Sequence, residues 1–196
     1  SSAASDVYKR QAVQPASIAT ASELYAIAPQ LPELLRKQLL TILDLVTGAG
    51  LSSAEIRRLR GTDVKPLSVD DLHTAVAISI RKKGAISRVV PIVCPVRGQR
   101  ILDRAREAGD SYVFPCFGDK MPRNAVCHVS EELVERGFRG FNTAALRNRW
   151  VAELATHPGV PAAMLLAMTG IADLRVLHDI QAVSYTHLRA HETRHD

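Results

Sequence analysis

Between Leu31 and Val46 the apolar residues Leu31, Leu34, Leu35, Leu39, Ile42, Leu43 and Val46 recur three and four positions apart, and the run stops at Gly48 and Gly50. That spacing writes a buried amphipathic helix with a glycine stop. The rest of the chain has to supply what covers it. Ser17 to Ala28 reads as a short helix ahead of it. A further helix opens at Ser52, where Glu55 three residues on completes a capping box, and runs to about Arg60 before Gly61 and Asp63.

Beyond Asp63 the period changes. Val76, Ile78 and Ile80 alternate with small or polar residues, Lys82-Lys83-Gly84 turns the chain, and Arg88 to Val93 supplies a second β-branched run. This predicts a basic antiparallel hairpin. Helices are then expected over Arg97 to Ala108, Pro122 to Arg136, Thr143 to Thr156, Pro161 to Met168 and Leu174 to Ile180, with Tyr112 to Pro115 extended between the first two. The strands cluster once instead of alternating with helices, so the expected fold is mainly α with one small antiparallel β-sheet, an α+β arrangement rather than a βαβ nucleotide fold or a sandwich.

Composition narrows the function classes. At 196 residues and 46% hydrophobic the chain has room for one globular domain with a sizeable core and is too apolar for a disordered segment. No apolar run reaches the roughly 18 residues of a membrane span. Cys94, Cys116 and Cys127 form no C-x-x-C pair and have no His at zinc-ligand spacing, so neither a disulfide framework nor a metal is expected, and a reducing cytoplasm fits. The formal charge of +5 is a weak pointer to a polyanionic partner.

Four segments, in order, carry a resemblance. TGAGLSSAEIRRLRGTDV at Thr47 to Val64, RKKGAISRVVPI at Arg81 to Ile92, YVFP at Tyr112 to Pro115 and AALRNRW at Ala144 to Trp150 resemble the successive boxes of the tyrosine recombinase (phage integrase) catalytic domain. The likeness extends from about Ile18 to Ile180. It implies a tyrosine-recombinase-like fold, double-stranded DNA as partner, possible contacts with other recombinase protomers, no cofactor or metal, and DNA recombination or integration in a cytoplasm of bacterial or phage origin.

The family holds a scissile phosphate with two Arg, moves protons with a Lys and a His, and attacks phosphorus with a Tyr; cations are needed because charge develops on the nonbridging oxygens. On this sequence the retained positions are Lys83 and Arg147, with Arg81, Lys82 and Arg88 as further DNA-binding cations on the hairpin. Other family positions are lost: the first Arg falls on Ser52, which helix capping explains; the first His falls on Ala144; Asn148 follows Arg147; the second His falls on Ile171, or Met168 in a register shifted by three; the Tyr falls on Ile180, or Leu177 in that register. Arg57, Arg58 and Arg60 read as a solvated basic face, with rescue of the missing Arg as the alternative.

Arg147 stands out without the resemblance. At about 100° per residue it lies inside the apolar arc spanned by Leu146, Trp150, Leu154 and Val151. A guanidinium there needs either a core carboxylate or a phosphate in a cleft.

The two ends read differently from the middle. SSAASDVYKRQ at Ser1 to Gln11 and VSYTHLRAHET at Val183 to Thr193 resemble in-frame translations of sequencing-library adapters, so residues 1-11 and 183-196 are expected to be non-native and 12-182 to be an integrase-like fragment. Tyr185, in a sequence that imitates the family's ending, then belongs to the adapter, and Tyr25 and Tyr112 are the tyrosines of the body. The expected function is a DNA-binding domain of this family that no longer cuts DNA. The alternatives are an active site-specific recombinase whose nucleophile lies beyond Ala182, and a protein-interaction domain that keeps the fold alone.

Overall fold

The computed structural model describes residues 13–68, 74–116 and 120–171. Its centre is the helix that the leucine run predicts, here α2 (Glu33–Ala49). Leu39, Ile42, Leu43, Leu45 and Val46 on it are fully buried. Gly50 ends it in a left-handed conformation, φ +61°, with its N–H donating to the Leu45 and Val46 carbonyls. That is the conformation in which a Cβ is costly and glycine is free.

Around α2 pack α1 (Ile18–Ile27), whose first turn is capped by the Ser17 side chain, and four later helices: α4 (Pro95–Ala108), α5 (Ala125–Glu135), α6 (Thr143–Thr156) and, leaning on α6, α7 (Ala162–Thr169). The helix of intervening residues, α3, spans only Ser53–Ile56. One carboxylate sits among the apolar side chains: Asp44 is fully buried, and Arg100 of α4 donates to both its oxygens at 2.7 Å while the Tyr25 hydroxyl of α1 donates at 2.8 Å. A buried carboxylate is tolerable when paired and hydrogen-bonded on each side, and this one ties α1 and α4 to α2.

The sheet has three antiparallel strands in the order β1 (Val64–Ser68), β2 (Thr74–Lys82) and β3 (Ala85–Ile92). Val76 pairs with Ile92 and Ile78 with Val90, and these four side chains face the core. Lys83 at φ +52° and Gly84 at φ +84° make the hairpin turn, the backbone that a two-residue connection with the native strand twist requires.

The mainly helical fold with one small antiparallel sheet is as expected, with three local corrections. Strand β1 was not expected, because VKPLS has a Pro and no clean alternation; it is an edge strand, where Pro is tolerated. The helix opening at Ser52 stops at Ile56 and does not continue to Arg60. Past it the chain turns outward to meet Tyr112: the Leu59 carbonyl accepts from the Val113 N–H at 3.0 Å, and the Gly61 N–H donates to the Ser111 carbonyl at 3.1 Å. Helix α5 starts at Ala125, three residues after Pro122. The expected helix over Leu174 to Ile180 and the adapter-like ends lie outside the described residues.

Candidate nucleic-acid interface

A cleft of about 630 Å³ opens where α3, the hairpin, α6 and the end of α7 meet. Among the described residues that line it are five cationic side chains, Arg58, Arg81, Lys82, Arg88 and Arg147, and one carboxylate, Glu55. No helix of the described residues is long and apolar enough to cross a membrane, and no group of three or more His, Cys, Asp or Glu side chains among them could hold a metal ion.

The floor of the cleft is built from α3. The Ser52 side chain accepts from the Glu55 N–H, and Glu55 Oε2 in return accepts from the Ser52 N–H at 2.8 Å and hydroxyl at 2.9 Å. That is the capping box expected from the sequence. The same carboxylate also receives Arg88 of β3 in a two-pronged pair, Nη1 to Oε1 at 2.7 Å and Nη2 to Oε2 at 3.1 Å. Burial on its own would raise the Glu55 pKa, but the hydrogen bonds from Arg88 and Ser52 and the Arg88 charge outweigh it and hold the carboxyl below its ordinary value. Arg88 Nε is buried without a hydrogen-bond partner.

Arg147 reaches the cleft from α6. Its Nε donates to the Gly50 carbonyl at 2.8 Å and its Nη2 to the Thr169 carbonyl at 2.7 Å. Among the described residues no carboxylate bonds it, so the core ion pair considered from the sequence is absent there and two backbone carbonyls hold it instead. Burial draws its pKa below the ordinary guanidinium value; Glu55 opposes this and Arg88 adds to it. A guanidinium nonetheless stays charged. Thus the glycine that ends α2 has two uses: its carbonyl orients Arg147, and a Cβ on it would lie 2.1 Å from the Trp150 ring of the same helix α6.

The other sequence-derived positions fall as follows. Arg81 lines the cleft, but its Nε is committed to Asp63 at 2.6 Å. Lys82 lines the cleft and bonds no described residue, whereas Lys83 sits exposed at the hairpin tip outside the lining. Ser52 and Ile171 line it; Ala144 is exposed on a separate depression beside Ser53 and Cys127. The Asn148 amide turns away and donates to the Val13 carbonyl at 2.6 Å. Met168 is half-buried against the core. Arg58 lines the cleft, while the Arg60 guanidinium stacks on Tyr112 at 4.8 Å. Ile180, Leu177 and Tyr185 lie outside the described residues. Neither described tyrosine faces the cleft: Tyr25 is bonded to Asp44, and burial first, then the Asp44 charge, pushes its hydroxyl pKa far up.

Sequence reasoning missed three contributors, the Glu55–Arg88 pair, Thr169 and Gly170. A capping carboxylate always has acceptor capacity left over, but which cation takes it depends on a strand 33 residues away, and that is fixed by packing.

The sequence matches no protein-family model and no curated protein. Its likeness is to solved structures. The XerH site-specific recombinase bound to palindromic difH substrate, a post-cleavage complex, superposes with a TM-score of 0.67 at 15% identity over 93% of this chain and 53% of that one. The XerA recombinase gives 0.63 at 16% identity over 93% and 65%. The Tn1549 transposon integrase in complex with circular intermediate DNA gives 0.57 at 13% identity over 88% and 64%. The chain thus spans about half the length of the XerH structure, and it has the fold of a tyrosine recombinase catalytic domain.

Proposed function

We propose that this chain binds duplex DNA through the phosphate backbone in the cleft between α3, the hairpin and α6, and that it does not cut the DNA it holds. The observation that carries the reading is the charge balance of the cleft: five cations face one carboxylate, and that carboxylate is already taken by Arg88. Arg81 is paired with Asp63, so Arg147, Lys82 and Arg58 are left with no ion pair among the described residues, and a polyanion supplies one. The solved chains that share the fold include DNA complexes, which supports DNA over another polyanion. The retained recombinase positions Arg147 and Lys83, with Arg81, Lys82 and Arg88, are the contacts we assign, and 12-182 is the unit that makes them.

The loss of cutting rests on what stands at the reactive positions. Ser52 is spent on a capping box, Ala144 and Ile171 carry no proton to give, and the position that the resemblance gives to the Tyr is filled by Ile180, or by Leu177 in the shifted register. Without a nucleophile no covalent intermediate forms, and losing several such groups together costs many orders of magnitude in rate. Incubating the chain with nicked suicide duplexes and resolving the products under denaturing conditions tests this. The expected result is a mobility shift in native gels and no covalent protein-DNA adduct; an adduct mapped to any residue of the body contradicts the reading.

A further inference from the structure

The two most buried cations of the cleft are tied to one short turn. Thr169 and Gly170 end α7, with Gly170 in the left-handed conformation at φ +66°. The Thr169 carbonyl accepts from Arg147 Nη2 at 2.7 Å. One residue on, the missing side chain of Gly170 is filled by Arg88: a Cβ there would lie 2.8 Å from Arg88 Nη1 and 3.4 Å from its Cδ and Cζ. The Thr169 hydroxyl, itself buried, donates to the Leu165 carbonyl and accepts from the Ile171 N–H, which fixes the turn from inside.

Two guanidinium groups are held against the same turn, Arg147 by its bond to the Thr169 carbonyl and Arg88 by its packing on Gly170, and the one carboxylate that lines the cleft among the described residues is taken up by Arg88 and Ser52. Each is braced from behind, Arg88 by Glu55 and Arg147 by the carbonyls of Gly50 and Thr169. No described residue accepts from Arg147 Nη1. Like charges brought together in a half-buried site call for an anion between them, and a planar guanidinium offers its remaining N–H groups to an oxyanion in a fixed fork.

We propose that the Thr169–Gly170 turn spaces Arg88 and Arg147 as a two-guanidinium cradle for a single DNA phosphate, which makes Gly170 a positioning residue acting through Arg88. The cradle rests on the duplex-DNA reading above and sharpens it. It places the second cation of the phosphate site on β3, at a residue 36 positions along the chain from Ser52.

The test is titration of a labelled random-sequence duplex at several salt concentrations against the full chain, the Arg88→Gln/Arg147→Gln double variant, Gly170→Ala, and Gly170→Ala in an Arg88→Gln background. One shared phosphate predicts that the slope of log K against log salt becomes shallower by about 0.9 in the double variant; two separate phosphates predict about 1.8 and overturn the cradle. Gly170→Ala, which changes no charge, is expected to weaken binding several-fold in the parent and to have no further effect once Arg88 is gone. Equal weakening in both backgrounds means a structural role only and overturns the positioning claim. Thermal melts accompany each protein. If Arg88→Gln fails to fold because Glu55 is left unpaired, Glu55→Gln/Arg88→Gln takes its place, since two neutral amides keep a hydrogen bond there. A parent chain that does not bind the duplex overturns the DNA reading itself, whereas binding with the wrong slope change or equal Gly170 effects overturns the cradle alone.

Discussion

Arg147 is oriented by carbonyls that belong to two helix ends, and the residue that supplies the first of them cannot carry a side chain. Gly50 sits at φ +61° with the Trp150 ring where its Cβ would go. Gly50→Ala must leave the left-handed region or displace a buried indole, so it is expected to cost at least about 2 kcal/mol in urea denaturation. It should also weaken DNA binding, because the Gly50 carbonyl moves with it. Glu55 gives a residue-scale prediction in pH. Its pKa in the fold lies below the ordinary 4.5. The stability it contributes is therefore complete above that ordinary value and is lost as pH falls through the lower value it has in the fold. Melting temperatures followed downward from neutral pH should fall less steeply for Glu55→Gln than for the parent over this acidic window; parallel curves would show that the Arg88 and Ser52 bonds do not favour the ionised form.

At the scale of elements, α3 is a four-residue helix that exists because of its cap. Ser52→Ala removes the hydroxyl that accepts from Glu55 N–H and donates to Glu55 Oε2, and is expected to destabilise the protein by about 1 kcal/mol in the same denaturation assay. An unchanged midpoint would mean that the Arg88–Glu55 pair alone holds the segment. The capping box was legible in the sequence because both partners lie within one turn. The same holds for the glycine stop of α2 and the Lys82 to Gly84 hairpin turn, which are local chemistry. What was not legible is non-local. The length of α3 is decided by Tyr112 and Val113 pairing with residues 59 to 61, and β1 forms at an edge where its Pro66 costs nothing, so neither leaves a periodic trace. Arg147 is the instructive case in the site. Its place in an apolar arc announced that something must meet it, but the partners turned out to be backbone carbonyls, which any sequence could supply.

At the scale of the whole molecule, a modest overall charge of +5 conceals a local concentration. Elsewhere several cations are matched: Arg100 with Asp44, Arg139 with Glu23, Arg136 with Glu132, Lys37 with Glu33. In the cleft Arg88 and Arg81 are paired with Glu55 and Asp63, and Arg58, Lys82 and Arg147 form no ion pair among the described residues. Net charge alone therefore understates the field that a phosphate backbone would meet, and the interaction should be electrostatic, tolerant of sequence and strongly dependent on salt. The most direct measurement is the affinity of the parent chain for a random-sequence duplex as salt is raised. With Lys82, Lys83 and the Arg88–Arg147 pair each neutralising a phosphate, log K should fall linearly with log salt at a slope of about −2.7 or steeper, and a duplex of different sequence should give the same line. Absence of binding at low salt, or binding that salt leaves unchanged, would contradict the assignment of this cleft to DNA.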